Sequence, residues 1–458
     1  MLYESTRGEA PVLGFEDVLL KGLAADGGLY WPQSFPALDL DSLKGAAYQT
    51  VAEAVMTPFA GDGVALKPVI ERAYAGFAHS EVAPLRQLGA DEWLMELYHG
   101  PTLAFKDVAM QLLGHLFDDV LEKRGGRVTV IGATSGDTGS AAIEAFAGKD
   151  HADIVILHPE GRTSEVQRRQ MTTVMDANVH NIAVQGTFDD CQAMVKAMFA
   201  DRDFAGRVSM SGVNSINWAR VMAQTVYYVT AALSLGAPAR AVSFTVPTGN
   251  FGDILAGLVA KKMGVPIDRL VIATNVNDIL ARALSTGRYE VTGVTATTSP
   301  SMDIQVSSNF ERLLYEAHGR DANAVRRLMD GLKQTGAFTI EPGPLEAIRA
   351  DFDAGRADEA AVADTIRTVA SDSAMLIDPH SAVGVAVARQ QARAAGTPMV
   401  VLGTAHPAKF PAAVEAATGQ HPALPPRLAD LFDREERFSV LPNDLGAVQD
   451  HILKAVGA

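Results

Sequence analysis

From about residue 93 onward, apolar runs of strand length alternate with glycine-bearing loops and helical patterns, and this alternation strongly constrains the fold. The runs lie at residues 93–98, 127–132, 153–157, 242–246, 269–273 and 398–403. Such runs, separated by helical segments, are typical of parallel strands buried on both faces, because a parallel connection needs a crossover helix. We therefore expect an α/β protein with two doubly wound, mostly parallel sheets.

Changes in this pattern divide the chain of 458 residues, which is too long for a single ordinary domain. Residues 1–92 mix short helical stretches with Gly/Pro turns and predict a small, mostly helical amino-terminal unit. Residues 93–236 predict a first α/β unit that carries Lys106, and residues 237–458 predict a second. Within the second unit, residues from about 285 to 370 contain charged amphipathic helices that indicate a helical insertion.

Composition excludes several classes of function. A formal net charge of -15 argues against a broad nucleic-acid or anionic-membrane surface, although a local basic pocket for one phosphate stays possible. The single cysteine, Cys191, excludes an intramolecular disulfide and fits a reducing compartment. No apolar run is long enough to span a bilayer, and the first residues do not form a secretion signal. We expect a cytoplasmic protein with no membrane or nucleic-acid partner and no metal.

Lys106 is the candidate centre of the chemistry. It lies near the first turn of a helix predicted over residues 108–117, where an ammonium faces the positive end of the helix dipole. The apolar residues 103–105 crowd its approach, so its protonated form is disfavoured. An amine that loses its proton easily can form a Schiff base with a carbonyl such as that of pyridoxal phosphate. From these residues alone, a surface lysine that begins a helix is an equal alternative.

Loops at the carboxyl ends of predicted strands are candidate ligand sites, because open α/β sheets bind ligands at that edge. The loop at residues 134–140 brings Ser135, Thr138 and backbone N–H groups to a helix start. This geometry suits a carboxylate or a phosphate, and it equally suits a tight turn.

A second loop, residues 247–253, also joins a predicted strand to a helix. Gly249 and Gly252 allow its backbone to approach a phosphate closely. The loop lacks both the Walker pattern and the G-x-G-x-x-G dinucleotide pattern. It therefore favours a cradle for a monophosphate.

Further polar groups could complete such a site. Thr404 follows a predicted strand, and its neutral hydroxyl could hold a ring nitrogen. His406 and Lys409 could meet an anion, or they could belong to a capped loop.

Asn214, Asn217 and Arg220 have a spacing that lets amides and a guanidinium converge on a second phosphate near a helix start. An N-cap asparagine with an exposed arginine is the plain alternative.

Taken together, these stretches resemble threonine synthase, a family of pyridoxal-phosphate enzymes with the tryptophan-synthase β-subunit-like fold (fold type II). The matching segments are residues 3–8, 99–107, 135–139, 214–220, 249–253, 378–384 and 406–410, in the expected order over nearly the whole chain. The resemblance implies the last step of threonine biosynthesis, in which O-phospho-L-homoserine and water give L-threonine and inorganic phosphate. It also implies pyridoxal phosphate as cofactor and a monomer or a homodimer.

The resemblance assigns roles to individual residues. Lys106 would form the Schiff base and would move protons between substrate carbons. The cofactor would be held by Gly249, Asn250, Phe251, Gly252 and Asp253 at its phosphate and by Thr404 at its pyridine nitrogen. The substrate α-carboxylate would be held by Ser135 and Thr138 with neighbouring amides, and the substrate phosphate by Asn214, Ser215, Asn217 and Arg220. Asp137 is a further candidate for substrate binding.

Two residues fit this scheme less well. Asn is common in the fold type at the position of Asp137, beside the cofactor's 3'-oxygen, and a carboxylate there would repel the anionic form of that oxygen. The role of Asp137 therefore stays open. His380 stays open between a buried structural role and an indirect role in the site.

Three alternatives remain at the level of sequence. A threonine dehydratase or an O-acetylserine sulfhydrylase would share the lysine and the glycine loop, but its substrate carries no phosphate, so residues 214–220 discriminate against it. A nucleotide-binding kinase or oxidoreductase of similar architecture lacks support from any nucleotide fingerprint. A non-catalytic relative that kept the fold is opposed by the intact Lys106.

Overall fold

A computed structural model describes residues 1–212, 214–392 and 394–458. Its strands in chain order are β1 (Leu2–Ser5), β2 (Leu13–Gly14), β3 (Tyr30–Pro32), β4 (Leu85–Gly89), β5 (Glu92–Glu96), β6 (Val128–Ala133), β7 (Ala152–Pro159), β8 (Val179–Gln185), β9 (Met210–Ser211), β10 (Val242–Pro247), β11 (Ile267–Thr274), β12 (Arg288–Glu290), β13 (Ala337–Thr339), β14 (Phe352–Arg356), β15 (Met399–Gly403) and β16 (Ser439–Pro442).

The α-helices in chain order are α1 (Phe15–Lys21), α2 (Tyr48–Ala60), α3 (Leu66–Tyr74), α4 (Lys106–Arg124), α5 (Asp137–Phe146), α6 (Glu165–Thr172), α7 (Phe188–Ala200), α8 (Arg202–Arg207), α9 (Trp218–Ser234), α10 (Gly252–Lys262), α11 (Ile279–Thr286), α12 (Phe310–Ala317), α13 (Ala322–Thr335), α14 (Pro342–Asp351), α15 (Glu359–Ser373), α16 (Pro379–Gln390), α17 (Pro411–Thr418) and α18 (Leu445–Val456). Short 3-10 turns lie at Pro300–Met302, Pro407–Lys409 and Pro426–Leu428.

Two sheets form the centre of the molecule. The six-stranded sheet has the order β14-β11-β10-β15-β5-β4, and its neighbours run parallel except for the antiparallel edge pair β4 and β5. The five-stranded sheet has the order β16-β8-β7-β6-β9 and is parallel throughout. This topology confirms the predicted α/β class with two mostly parallel sheets.

Helices cover the sheets and bury the central strands. Strands β7 and β10 are buried over their full lengths, as parallel strands with helices on both faces must be. Helix α9 is buried over most of its length, and it packs against α2, α4 and α10. Among the described residues, none of the helices combines the length and apolar character needed to cross a bilayer.

The sheets do not follow the predicted division of the chain at residues 93–236 and 237–458. Strand β5 pairs with β15 in the six-stranded sheet, and β16, near the end of the chain, pairs with β8 in the five-stranded sheet. Each sheet therefore takes a strand from the other predicted unit. The apolar pattern indicates that a strand is buried, but it carries no information on which sheet the strand joins.

The two remaining predicted regions contain more strand than expected. The amino-terminal region has the helices α1, α2 and α3 together with an antiparallel sheet of order β2-β1-β3. The region at 285–370 contains the predicted helices, the antiparallel pair β12 and β13, and β14, which extends the six-stranded sheet beside β11. It is thus partly an enlarged sheet edge.

Candidate active site

Lys106 is the first residue of α4 and lies beside the end of β15. The turn before it is held by Asp107, whose carboxylate accepts hydrogen bonds from the Thr102 backbone N–H (2.8 Å) and hydroxyl (2.5 Å). The Phe105 N–H donates to the Thr404 carbonyl over 2.8 Å. These contacts bring two loops nearly 300 residues apart in sequence to one place. Lys106 itself is only 8% exposed.

The surroundings of Lys106 disfavour its ammonium form, as the sequence predicts. Burial is the largest effect and lowers the pKa of Lys106, whereas Asp137, whose Oδ2 atom is 3.4 Å from the lysine Nζ, opposes it. The positive charges of Lys409 and Arg220 lower the pKa of Lys106 further. A lowered pKa makes more of this amine available as a nucleophile and as a base at a given pH.

Asp137 is a buried carboxylate with four side-chain partners. Its Oδ1 atom contacts the Lys409 Nζ (3.1 Å) and the Gln167 Nε2 (2.9 Å), and its Oδ2 atom contacts the Lys106 Nζ (3.4 Å) and the Ser301 Oγ (3.3 Å). Burial alone would raise the pKa of Asp137, but the nearby lysines lower it below its ordinary range. This position favours a role for Asp137 as the ion-pair partner of the two lysines. Contact with a substrate carboxylate is disfavoured, because two carboxylates repel each other.

Lys409 is fully buried, and it binds protein acceptors. Its Nζ donates to the Thr102 carbonyl (2.7 Å) and the Gln170 Oε1 (2.8 Å), and it contacts the Asp137 Oδ1 at 3.1 Å. The Lys409 Nζ is therefore held by two hydrogen bonds and one ion pair.

The predicted glycine loop lies between β10 and α10, and its backbone is closely packed. A Cβ atom at Gly249 would lie 2.8 Å from the Ser301 carbonyl oxygen. Phe251 has a left-handed backbone conformation with φ of 64°, and its ring packs against that of Phe310 at 5.4 Å. The Asn250 carbonyl accepts hydrogen bonds from Asn309. These contacts fix a loop that leads into the amino terminus of α10, a position suited to a phosphate.

Asp253 lies in the first turn of α10 and is buried. Its Oδ1 atom accepts hydrogen bonds from the hydroxyls of Tyr227 (2.5 Å) and Tyr228 (3.1 Å). Its Oδ2 atom is buried with no hydrogen-bond partner among the described residues. Burial raises the pKa of Asp253 to about 7, although the tyrosine hydrogen bonds act in the opposite direction. The carboxyl is therefore partly neutral near physiological pH.

Thr404 carries a buried hydroxyl that finds no hydrogen-bond partner in the described part of the chain. Its backbone N–H donates to the Ser381 hydroxyl over 3.1 Å, and that hydroxyl donates to Asp378. Asp378 also holds the His380 Nδ1 at 2.7 Å, and the His380 Nε2 accepts from the Ser301 N–H. His380 therefore links the Thr404 loop to the Ser301 turn.

The predicted second phosphate site contains two buried side chains in different surroundings. The Asn217 side chain caps α9 by accepting from the Ala219 N–H (3.0 Å), and it donates to the Leu19 carbonyl (2.8 Å), which favours the N-cap interpretation. Arg220 is buried, and this burial lowers its pKa to about 10. It is thus not the exposed arginine of the plain alternative.

The other predicted substrate contacts lie nearer to solvent. Asn214 and Ser135 are exposed, whereas Ser215 and Thr138 are half-buried. Thr138 lies in the first turn of α5, beside Asp137. These residues stay predicted contacts, in positions that a small ligand can reach.

Sequence reasoning missed two residues of the site, Ser301 and Gln167. Ser301 forms hydrogen bonds with Asp137 and His380, and its carbonyl oxygen lies close to Gly249. No sequence pattern indicates that Ser301 belongs to the site. Gln167 lies three residues after the N-cap Ser164, a spacing typical of a capping box, but its side-chain amide donates to Asp137.

Comparison with known families agrees with this geometry. The sequence profile of the pyridoxal-phosphate dependent enzyme family matches residues 80–404. The profiles described as threonine synthase N terminus and threonine synthase, C-terminal, match residues 2–74 and 381–452.

Individual relatives cover almost the whole chain. A threonine synthase of Pseudomonas aeruginosa is 56% identical over 98% of this chain and 97% of its own length. The crystal structure of a PLP-bound threonine synthase from Brucella melitensis superimposes with a TM-score of 0.98 at 60% identity and covers 100% of both chains. The threonine synthase structure from yeast has a TM-score of 0.95 at 39% identity and covers 100% of this chain and 99% of its own. The chain therefore belongs to the threonine synthase family of pyridoxal-phosphate dependent enzymes.

Proposed function

We propose that this chain converts O-phospho-L-homoserine and water into L-threonine and inorganic phosphate, as a carbon–oxygen lyase acting on a phosphate ester. The observation that carries the proposal is the burial of Lys106 close to a second buried cation, Arg220. Burial and the positive charge of Arg220 both lower the pKa of Lys106. The family membership of the whole chain supports the same reaction.

The residues present fit pyridoxal phosphate. The Thr404 hydroxyl is buried without a partner among the described residues, so a ring nitrogen would satisfy it. The N–H groups of the loop from Gly249 to Gly252 would hold the cofactor phosphate, and the Lys106 amine would hold its aldehyde carbon. When bound, the cofactor supplies an electron sink that makes protons on the neighbouring substrate carbons acidic.

Lys106 would then carry protons during the reaction. Its Nζ atom, whose pKa is lowered by burial, would accept the proton from the substrate Cα and would return protons later in the cycle. Asp137 would orient this amine from 3.4 Å. The protein thereby places one base where successive proton transfers occur.

Arg220 would bind the phosphate that leaves from Cγ of the substrate. The electrons of the broken C–O bond depart with the phosphate, and a buried guanidinium stabilises that growing negative charge. Ser135 and Thr138, at the amino terminus of α5, would bind the substrate α-carboxylate. Water then adds at Cβ to give the hydroxyl of threonine.

The test is to add O-phospho-L-homoserine to the purified protein with pyridoxal phosphate and to measure released phosphate and threonine together. Equal amounts of both products are expected. Arg220→Ala should raise KM for the substrate while changing affinity for the cofactor much less. Turnover of serine or threonine without response to phosphohomoserine would overturn the proposal in favour of a dehydratase.

A further inference from the structure

Asp137 lies between two buried lysines from different parts of the chain. Its Oδ2 atom is 3.4 Å from the Lys106 Nζ, and its Oδ1 atom is 3.1 Å from the Lys409 Nζ. The two other contacts of the Lys409 Nζ are uncharged oxygens, those of Thr102 and Gln170. Asp137 is therefore the carboxylate in direct contact with Lys409, with Asp107 acting on Lys409 from farther away, and Asp137 is shared with Lys106.

A carboxylate that contacted Lys106 alone would oppose the function proposed for that lysine. In a site with little water, it would stabilise the ammonium and so remove the free amine. It would also add an uncompensated negative charge beside an anionic cofactor. A second cation on the opposite carboxylate oxygen offsets both effects.

We infer that Lys409 is a positioning residue that balances the charge of Asp137, so that Asp137 orients the Lys106 amine without fixing it as an ammonium. The inference rests on the proposed function only in assigning the chemistry to Lys106. We assign Lys409 no contact with substrate or cofactor, because its Nζ is already in contact with the oxygens of Asp137, Thr102 and Gln170.

The electrostatics of the site agree with this arrangement. Burial lowers the pKa of Lys106, Asp137 raises it, and Lys409 lowers it again. Burial raises the pKa of Asp137, and Lys409 is the strongest of the charges that lower it. The charged groups that face Lys106, Asp137 and Lys409 come from several elements: Asp107 in α4, Arg220 in α9, Asp253 in α10 and His380 in α16.

The experiment measures the reactivity of Lys106 in the cofactor-free full-length protein. Acetic anhydride labels unprotonated amines, and mass spectrometry of the peptide that carries Lys106 gives its labelling rate as a function of pH. The parent protein is compared with Lys409→Met, Asp137→Asn and the double variant. Lys262→Met is the matched control, because this lysine pairs with Glu316 at the surface. Circular dichroism verifies that each variant is folded.

The labelling midpoint is the pH at which the labelling rate of Lys106 is half of its maximum. The charges around Lys106 predict the order of the midpoints among the variants. Lys409→Met should move the midpoint to higher pH, and labelling at neutral pH should slow about tenfold whenever the midpoint rises by about one on the pH scale. Asp137→Asn should move the midpoint to lower pH, and the double variant should lie between the two single variants, near the parent. Lys262→Met should leave the midpoint unchanged.

An unchanged midpoint in folded Lys409→Met would overturn the inference. If that variant does not fold, Lys409→Gln, which removes the charge and keeps a polar side chain beside Asp137, takes its place, and an unchanged midpoint in that variant would overturn the inference. Absence of phosphate release from phosphohomoserine, with the labelling midpoints ordered as expected, would instead overturn the proposed function and leave the inference standing.

Discussion

At the scale of single residues, removing the Thr404 hydroxyl should weaken cofactor binding without destabilising the fold. A buried hydroxyl without a partner destabilises a fold by about 1–3 kcal/mol. Thr404→Val removes it and keeps the shape of the side chain. We expect the cofactor-free variant to unfold at an equal or higher temperature, while its affinity for pyridoxal phosphate falls about tenfold, the effect of one lost hydrogen bond. Thermal unfolding and a cofactor titration measure the two effects.

Thr365→Val is the matched control for this variant. The Thr365 hydroxyl donates to the Ala361 carbonyl within α15, so its removal should change stability slightly and leave the cofactor affinity unchanged. A Thr404→Val protein that is less stable but binds the cofactor normally would show that the hydroxyl serves the fold.

Asp253 gives a prediction for the dependence of stability on pH. The fold raises the pKa of this carboxyl from 3.8 to about 7, so the folded chain binds its proton more tightly than the unfolded chain. Stability is therefore lost as pH rises from about 4 to about 7. Asp253→Asn removes this loss, and we expect its gain over the cofactor-free parent to be about 3 kcal/mol larger at pH 8 than at pH 5.

Urea unfolding of the two cofactor-free proteins at both pH values measures this gain. The comparison at pH 5 is the internal control, because there the folded carboxyl is mostly protonated and resembles the amide. An equal difference at both pH values would contradict the raised pKa of Asp253.

The residues of the site differ in how far the sequence predicts them. Lys106 and Thr404 stand in loops beside recognisable strands and helices, so sequence reasoning places them at one sheet edge, and the structure brings them together. The contacts of Ser301 and Lys409 with Asp137 depend on how three distant loops pack. Local sequence patterns contain no information on such packing.

At the scale of elements, the loop between β10 and α10 depends on the absence of a side chain at Gly249. A Cβ atom there would lie 2.8 Å from a backbone oxygen of Ser301, so either the loop at Gly249 or the 3-10 turn Pro300–Met302 must shift. We expect Gly249→Ala to weaken pyridoxal phosphate binding at least about tenfold, because the N–H groups that hold the phosphate would move. Fluorescence titration of the cofactor-free protein with pyridoxal phosphate measures the change.

Gly343→Ala in α14 is the control for this prediction. A Cβ atom at Gly343 meets nothing within 4 Å, so the substitution should leave cofactor binding unchanged. Equal binding by both variants would show that the loop tolerates a methyl group at Gly249.

The sequence predicts the central strands well and the edge strands poorly. Strands such as β7 and β10 are buried along their whole length, and their sequences are mostly apolar. Strand β14 is buried only at Phe352, and β16 has no buried residue, so the burial of these strands leaves no strong apolar pattern in the sequence. Their pairing is set by neighbours that are distant in sequence.

At the scale of the whole molecule, the two sheets cannot be separated by cutting the chain once. Strand β5 belongs to the six-stranded sheet although β6, β7 and β8 follow it in the other, and the chain returns to the five-stranded sheet at β16. The loops that carry Lys106 and Asp137 therefore lie on either side of a connection between the sheets. The geometry of the site depends on how the complete chain packs.

The carboxyl-terminal segment gives the last prediction. Strand β16 pairs with β8, and α18 buries Val448 and Ile452 in the core of the five-stranded sheet. Burying these two side chains stabilises the fold by about 3–6 kcal/mol, a large part of the 5–15 kcal/mol typical of a whole domain. A chain that ends at Arg437 should therefore lose the packed five-stranded sheet, and with it the Asp137 loop and cofactor binding.

Two point variants serve as controls for this truncation. Ile452→Ala should destabilise the full chain by about 2–5 kcal/mol, because the residue is fully buried. Lys454→Ala, on the exposed side of the same helix, should change stability by less than about 0.5 kcal/mol. Thermal unfolding and cofactor titration measure all three proteins. A truncated chain that unfolded at the parent's temperature and bound the cofactor would mean that the five-stranded sheet is stable without its edge strand, and that the last return of the chain is dispensable for the site.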